Sequence, residues 1–148
     1  MGVIVITLHL GVIDIPYEDE DTTTGDVAEY LEDKYQIMQT FFDRYEREIV
    51  DMMSEDMAGQ LENLLAGFPP QKDPFAQSMS KIHNLFSAFL TSQEMNGMPG
   101  VPTRRALDGI SKRLKNKKGN PRPSFIDTGT YQGAMMAWVS GVLNAFPE

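Results

Sequence analysis

The sequence predicts an α+β fold, with a long amphipathic helix and two or three shorter helices packed on a small antiparallel sheet. Two patterns lead there. Ile4, Ile6, Leu8, Leu10 and Val12 fall at every second position, the period of a strand with one face more apolar than the other. From Val27 to Leu65 the apolar residues instead recur every third and fourth position, the period of a helix. Clusters of Gly, Pro and Asn separate these segments, and the 148 residues suit a single domain. Its parts are an N-terminal strand at 3–15, a helical region at 26–92, a basic helix-loop at 103–123 and a C-terminal segment at 124–148.

In the strand, Val5, Thr7, His9 and Gly11 oppose the apolar set, Gly11 is a candidate bulge, and Pro16 ends the run. One strand is not stable alone, so a partner is expected from residues 130–143 or from another copy of the chain. The acidic Glu18–Asp21 stretch leads to Thr22, Thr23, Thr24, Gly25 and Asp26, which offer N-caps for a helix starting close to Asp26.

That helix carries Val27, Leu31, Tyr35, Met38, Phe41, Phe42, Tyr45, Ile49, Met52, Met53, Met57, Leu61, Leu64 and Leu65 as one wide apolar stripe. Gly67 and the Pro69–Pro70 pair stop it. Ser54-Glu55-Asp56 can re-cap a second helix, so the stretch is read as one helix of about ten turns or as two with a kink there. Asp73 and Pro74 look like the N-cap and first residue of the next helix, whose apolar face is Phe75, Met79, Ile82, Phe86, Phe89 and Leu90. Residues 96–102 (NGMPGVP) form a loop. Thr103 then caps a short helix with Leu107, Ile110 and Leu114 on one side, and 116–123 (NKKGNPRP) is a basic loop.

Composition narrows the function. Apolar residues make up 41% and charged residues 23%, as in ordinary globular proteins. There is no cysteine, which removes disulfides, thiolate zinc sites and cysteine nucleophiles, and His9 and His83 stand in no metal-ligand spacing. No phosphate-binding glycine loop is present, and no cofactor or metal is expected. The N-terminus lacks the basic start of a signal peptide and the roughly 20 apolar residues of a membrane span, so a soluble protein made in the cytoplasm is expected.

Charge is segregated. Residues 1–103 hold 5 Lys/Arg against 18 Asp/Glu, whereas residues 104–122 hold 8 against 1. Such a split suits head-to-tail contact between copies, or a local docking patch. The basic set is Arg104, Arg105, Lys112, Arg113, Lys115, Lys117, Lys118 and Arg122. It also admits contact with nucleic acid, although the net charge is −8 and no aromatic residue is interleaved with the bases.

Asp127-Thr128-Gly129, behind Phe125 and Ile126, is spelled like an aspartic-peptidase site. Such enzymes bring two carboxylates together in β domains. Only 19 residues follow Gly129 here, and helices dominate what precedes it. Asp127, Thr128 and Gly129 are therefore read as a structural turn, with Gly129 at positive φ and a new element from Thr130.

The combination Pro121-Arg122-Pro123-Ser124-Phe125-Ile126-Asp127-Thr128-Gly129-Thr130-Tyr131 with Ala137-Trp138-Val139 resembles the C-terminal motif of small virion morphogenesis proteins of tailed bacteriophages. The preceding Gly100–Arg113 stretch fits the same pattern, so the resemblance covers residues 100–139. It implies a non-enzymatic subunit that completes a tail or connects head to tail. The expected setting is an oligomeric ring in the neck of a virion, bound to other phage neck or tail proteins. A baseplate position and a passing contact with DNA are the alternatives, and no membrane is involved. The expected interface comprises the basic set above, with Phe125, Tyr131 and Trp138 as apolar anchors.

Overall fold

The computed structural model describes residues 4–17, 21–110, 118–126 and 129–143. In chain order they form β1 (Ile4–Val12), α1 (Thr24–Tyr35), α2 (Ile37–Leu65), α3 (Ala76–Thr91), α4 (Arg104–Leu107), α5 (Thr130–Ala134) and β2 (Met135–Leu143). The architecture is α+β: the 29-residue α2 and shorter helices lie against a two-stranded antiparallel sheet.

β1 finds its partner inside the chain. It pairs with β2 from Ile4↔Leu143 to Val12↔Met135 without interruption. Leu8, Leu10, Val12, Met135 and Ala137 pack into the core, and the alternate residues face outward. Gly11 makes no bulge: pairing passes straight through Gly11↔Met136. A Cβ on Gly11 would lie 3.1 Å from the indole of Trp138, so the missing side chain makes room for that ring. His9 stacks on Trp138 with ring centroids 5.2 Å apart, and its Nε2 lies 2.7 Å from Ser140 Oγ.

The chain between β1 and α1 is tied down by Thr24, which is fully buried. Its hydroxyl donates to the Ile13 carbonyl and accepts the Ile15 N–H, while the Gly25 N–H donates to the Asp14 carboxylate. Hydrogen bonds from the Thr23 side chain and then the Gly25 N–H hold the Asp14 carboxyl below its usual range. α1 begins two residues before Asp26. Thr23 is the N-cap, its hydroxyl accepting the Asp26 N–H, and Asp26 closes a reciprocal capping box on the Thr23 N–H.

The predicted long helix is broken, but not at Ser54. Gln36 adopts φ 51° and ψ 51°, a left-handed turn that separates α1 from α2. The Glu32 carboxylate crosses the break and accepts the N–H groups of Met38 and Gln39, two of the free donors in the first turn of α2. This turn lets Ile37 and Phe41 enter the core, both with no exposed surface. α2 then runs unbroken through Ser54 to a Schellman end: the Gly67 N–H bonds the Leu64 carbonyl and the Phe68 N–H bonds the Asn63 carbonyl, with Gly67 at φ 88°.

The core is an aromatic knot between α2, α3 and α5. Phe41 meets Phe86 edge-to-face at 5.3 Å and Phe89 at 5.5 Å, and Tyr131 closes on Phe86 at 6.1 Å. Burial pushes the Tyr131 phenol well above its ordinary value. At the rim the Tyr45 hydroxyl donates to the Glu94 carboxylate at 2.6 Å, and Arg44 caps the Glu94 carbonyl at 2.7 Å. α3 is joined to the sheet end by His83 Nδ1, 2.7 Å from the Met135 carbonyl, and by Gln132, which donates to the Ser87 carbonyl.

Asp73 does not cap α3. The N-cap position is Phe75, with no side-chain bond, and the first turn is satisfied from across the helix pair: Asp56 on α2 accepts both the N–H and the hydroxyl of the buried Ser78. Asp56, foreseen as a restart signal for α2, is thus spent on α3. Replacing it should show this. Asp56→Ala is expected to lower the unfolding free energy by about 1 kcal/mol, and Asp73→Ala to change it by less than about 0.5 kcal/mol, both read from urea midpoints at constant m-value.

The Tyr45–Glu94 bond sets an alkaline limit. The bond to Glu94, followed by burial, pushes the Tyr45 phenol up to about 12. A folded pKa above the unfolded value of about 10 means stability that is complete below pH 10 and lost as pH rises toward 12. The urea midpoint should therefore fall over that interval, and Tyr45→Phe should make the fall shallower while lowering stability at pH 7 by about 1 kcal/mol.

Candidate functional site

Between the end of α2 and the start of α3 lies an open, polar groove of about 480 Å³, bordered by Glu55, Asp56, Gln60, Gln71 and Lys81. No group of three or more metal-ligating side chains occurs among the described residues, and no helix among them is long and apolar enough to cross a membrane. What the structure does offer is surface: a basic loop stem, a two-stranded ribbon with open edges, and an apolar line on α2.

The two described arms of the basic segment are bonded to each other as a stem. Thr103 caps α4 by accepting the Ala106 N–H at 3.2 Å, and the helix ends after four residues. Ala106 turns inward and is buried, while Leu107, expected on the inner side, is 51% exposed. Gly109, φ 63°, then lies against the returning chain, where an added Cβ would collide with the Asn120 carbonyl oxygen and the Gly119 backbone. Returning strands of the stem are bonded side by side: Gly119 N–H to the Asp108 carbonyl and Arg122 N–H to the Ala106 carbonyl, both at 3.0 Å. The Arg122 guanidinium also donates to the Arg105 carbonyl, and Arg104 pairs with Asp108 at 3.0 Å.

Arg104, Arg105, Lys118 and Arg122 thus share one stem, whereas Lys112, Arg113, Lys115 and Lys117 lie outside the described residues. The stem is anchored at the α1–α2 junction: the Thr103 N–H donates to Ser124 Oγ, and Phe125 packs edge-on to Tyr35 at 4.9 Å.

The three expected aromatic anchors have different fates. Tyr131 is buried in the core of its own chain, and Phe125 is partly buried against Tyr35. Trp138, 39% exposed, presents its ring on the outer face of the ribbon. Gly129 has φ 82° and precedes α5, while Asp127 and Thr128 fall outside the described residues. β1 and β2 have no further strand beside them among the described residues, so each keeps one open edge.

The end of the apolar stripe read from periodicity does not lie in the core. Met57, Leu61, Leu64 and Leu65 are exposed, Leu65 at 80%. After Met53, which still packs on the core, the inward face of α2 turns polar: Asp56 holds Ser78, and Gln60 bonds Gln71. The signal for this was present, since Asp56, Gln60 and Asn63 form their own line at helical spacing beside the apolar one.

Comparison of the chain with protein-family models, with curated proteins and with solved structures gives no match in any of the three.

The stem geometry predicts two opposite outcomes for the same substitution. Gly109→Ala should cost roughly 1–3 kcal/mol, because φ is positive and the new Cβ meets backbone. Gly59→Ala, in mid-α2 with nothing within 4 Å of the added Cβ, should gain roughly 0.5–1 kcal/mol. Thermal and urea unfolding of the two variants beside the parent chain tests both.

Proposed function

We propose that this chain is a non-enzymatic structural subunit of a tailed-phage neck or tail, assembled as a ring that joins head-side to tail-side proteins. The observation that carries the reading is the residue pattern from Gly100 to Val139, with its basic segment, the sequence Phe125-Ile126-Asp127-Thr128-Gly129 and the Ala137-Trp138-Val139 run. The surfaces are of the kind a ring subunit needs. Open strand edges accept further strands, and segregated charge orients one copy against the next.

The charge arrangement supports contact between copies. The basic stem sits by Tyr35, at the start of α2. The acidic run Glu48, Asp51, Glu55, Asp56 and Glu62, uninterrupted by any Lys or Arg, extends from the middle of the same helix toward its end. With α2 about 40 Å long at helical rise, pairing between the stem and the acids near the end of α2 would need a second copy, which is what this reading expects. A second reading, passing contact with DNA in the virion channel, draws on the same basic stem. Its mark would be affinity that falls steeply as salt rises.

The test is electron microscopy of lysates from a phage with a nonsense mutation in this gene. Full heads beside separate, complete tails are expected. Intact virions would overturn the structural role, and tails lacking a distal part would move the protein to the baseplate.

A further inference from the structure

Val50, Ser54, Met57, Leu61 and Leu64 follow one another at intervals of four, three, four and three residues, and all five are exposed. That is the spacing of a coiled-coil seam, in which alternate knobs of one helix fill holes on another. Over two heptads the line is straight, about 21 Å long at helical rise. It does not depend on a partner to become helical, because α3 and the aromatic knot already hold α2. Leu65 and Phe68, 80% and 63% exposed, extend the apolar surface at its end. Monomers rarely leave a contiguous apolar strip of this kind in water.

We propose that this seam is covered by the α2 seam of a second copy of the chain. The flanking positions decide between occupants. Met53, Ala58, Gln60 and Leu65, which border the seam, are uncharged, and Asp51 at its start is the exception. Glu48, Glu55 and Glu62 repeat every seventh residue on a separate stripe, away from the line of contact. Two such seams therefore meet without placing carboxylates opposite one another, whereas a basic partner helix would find few charges beside the seam to pair with.

No other described helix offers a match: the remaining large exposed apolar residues, such as Tyr30, Leu107, Trp138, Ile13 and Ile15, are scattered over α1, α4, the strands and the link after β1. The polar Ser54 within the seam breaks its uniformity and helps to fix one register.

This inference rests on the reading above only in requiring copies to meet, and it names the surface. Sedimentation equilibrium of the purified full chain tests it, with circular dichroism to check each fold. The parent is expected to self-associate at micromolar concentration. Leu61→Glu combined with Leu64→Glu should weaken association by about a hundredfold or more, since charges would be buried without partners, and leave the helical signal unchanged. Met57→Gln, a milder change, should weaken it severalfold with the fold intact, so the seam can be judged even if the double variant does not fold.

A parent that stays monomeric at hundreds of micromolar overturns the proposal. So does an oligomer that both variants leave intact, which would shift subunit contact to the ribbon or the basic stem and leave the ring reading standing. Separation of full heads from tails in the nonsense mutant is read independently of either result.

Discussion

Phe41, Phe86 and Phe89 pack ring against ring where α2 crosses α3, and Tyr131 closes the group from α5. Together with Ile37 and Ile49, which have almost no exposed surface, they fix not only where α2 lies but how it is rotated about its axis. A helix transmits that rotation along its length, since each residue turns about 100° from the last. Once Phe41 and Ile49 point inward, Asp56 and Gln60 must point toward α3, and Val50, Met57, Leu61 and Leu64 must point away. The outward seam is thus a consequence of the buried half of the same helix.

Most of the fold was legible because its signals are local. The two-residue period of β1 survives in the structure, with Leu8, Leu10 and Val12 inside and His9 outside. The Thr23 cap and the Gly67 stop are equally local. What periodicity misplaced depends on contacts distant in sequence. Gln36 is an unremarkable residue, and its left-handed turn is held by Glu32 reaching over to the next helix. Asp73 has the look of a cap, yet the carboxylate that serves α3 comes from Asp56, 22 residues before Ser78.

The candidate site was legible only in part. The basic segment and its Thr103 cap could be read from composition and spacing, but the closure of its stem depends on Gly109 lying against Gly119 and Asn120. Periodicity alone could not tell whether the apolar line of α2 faces core or solvent, because core and coiled-coil stripes have nearly the same spacing. The polar pairs Asp56–Ser78 and Gln60–Gln71 decide it, by taking the inward face. The proposed contact surfaces therefore lie apart: an apolar seam at one end of α2, a basic stem at the other, and an open-edged ribbon.

In the proposed assembly the second half of α2 is solvent-facing in one chain and covered by a second copy. The chain has no cysteine, so one introduced thiol reports cleanly. Ser54→Cys is nearly isosteric and lies on the seam, while Glu55→Cys lies one position round the helix, and both sites are exposed. The measurement is the rate of thiol modification at each site as protein concentration rises. The account predicts that Cys at 54 becomes progressively protected while Cys at 55 keeps its rate. Equal, concentration-independent rates at the two sites would contradict it.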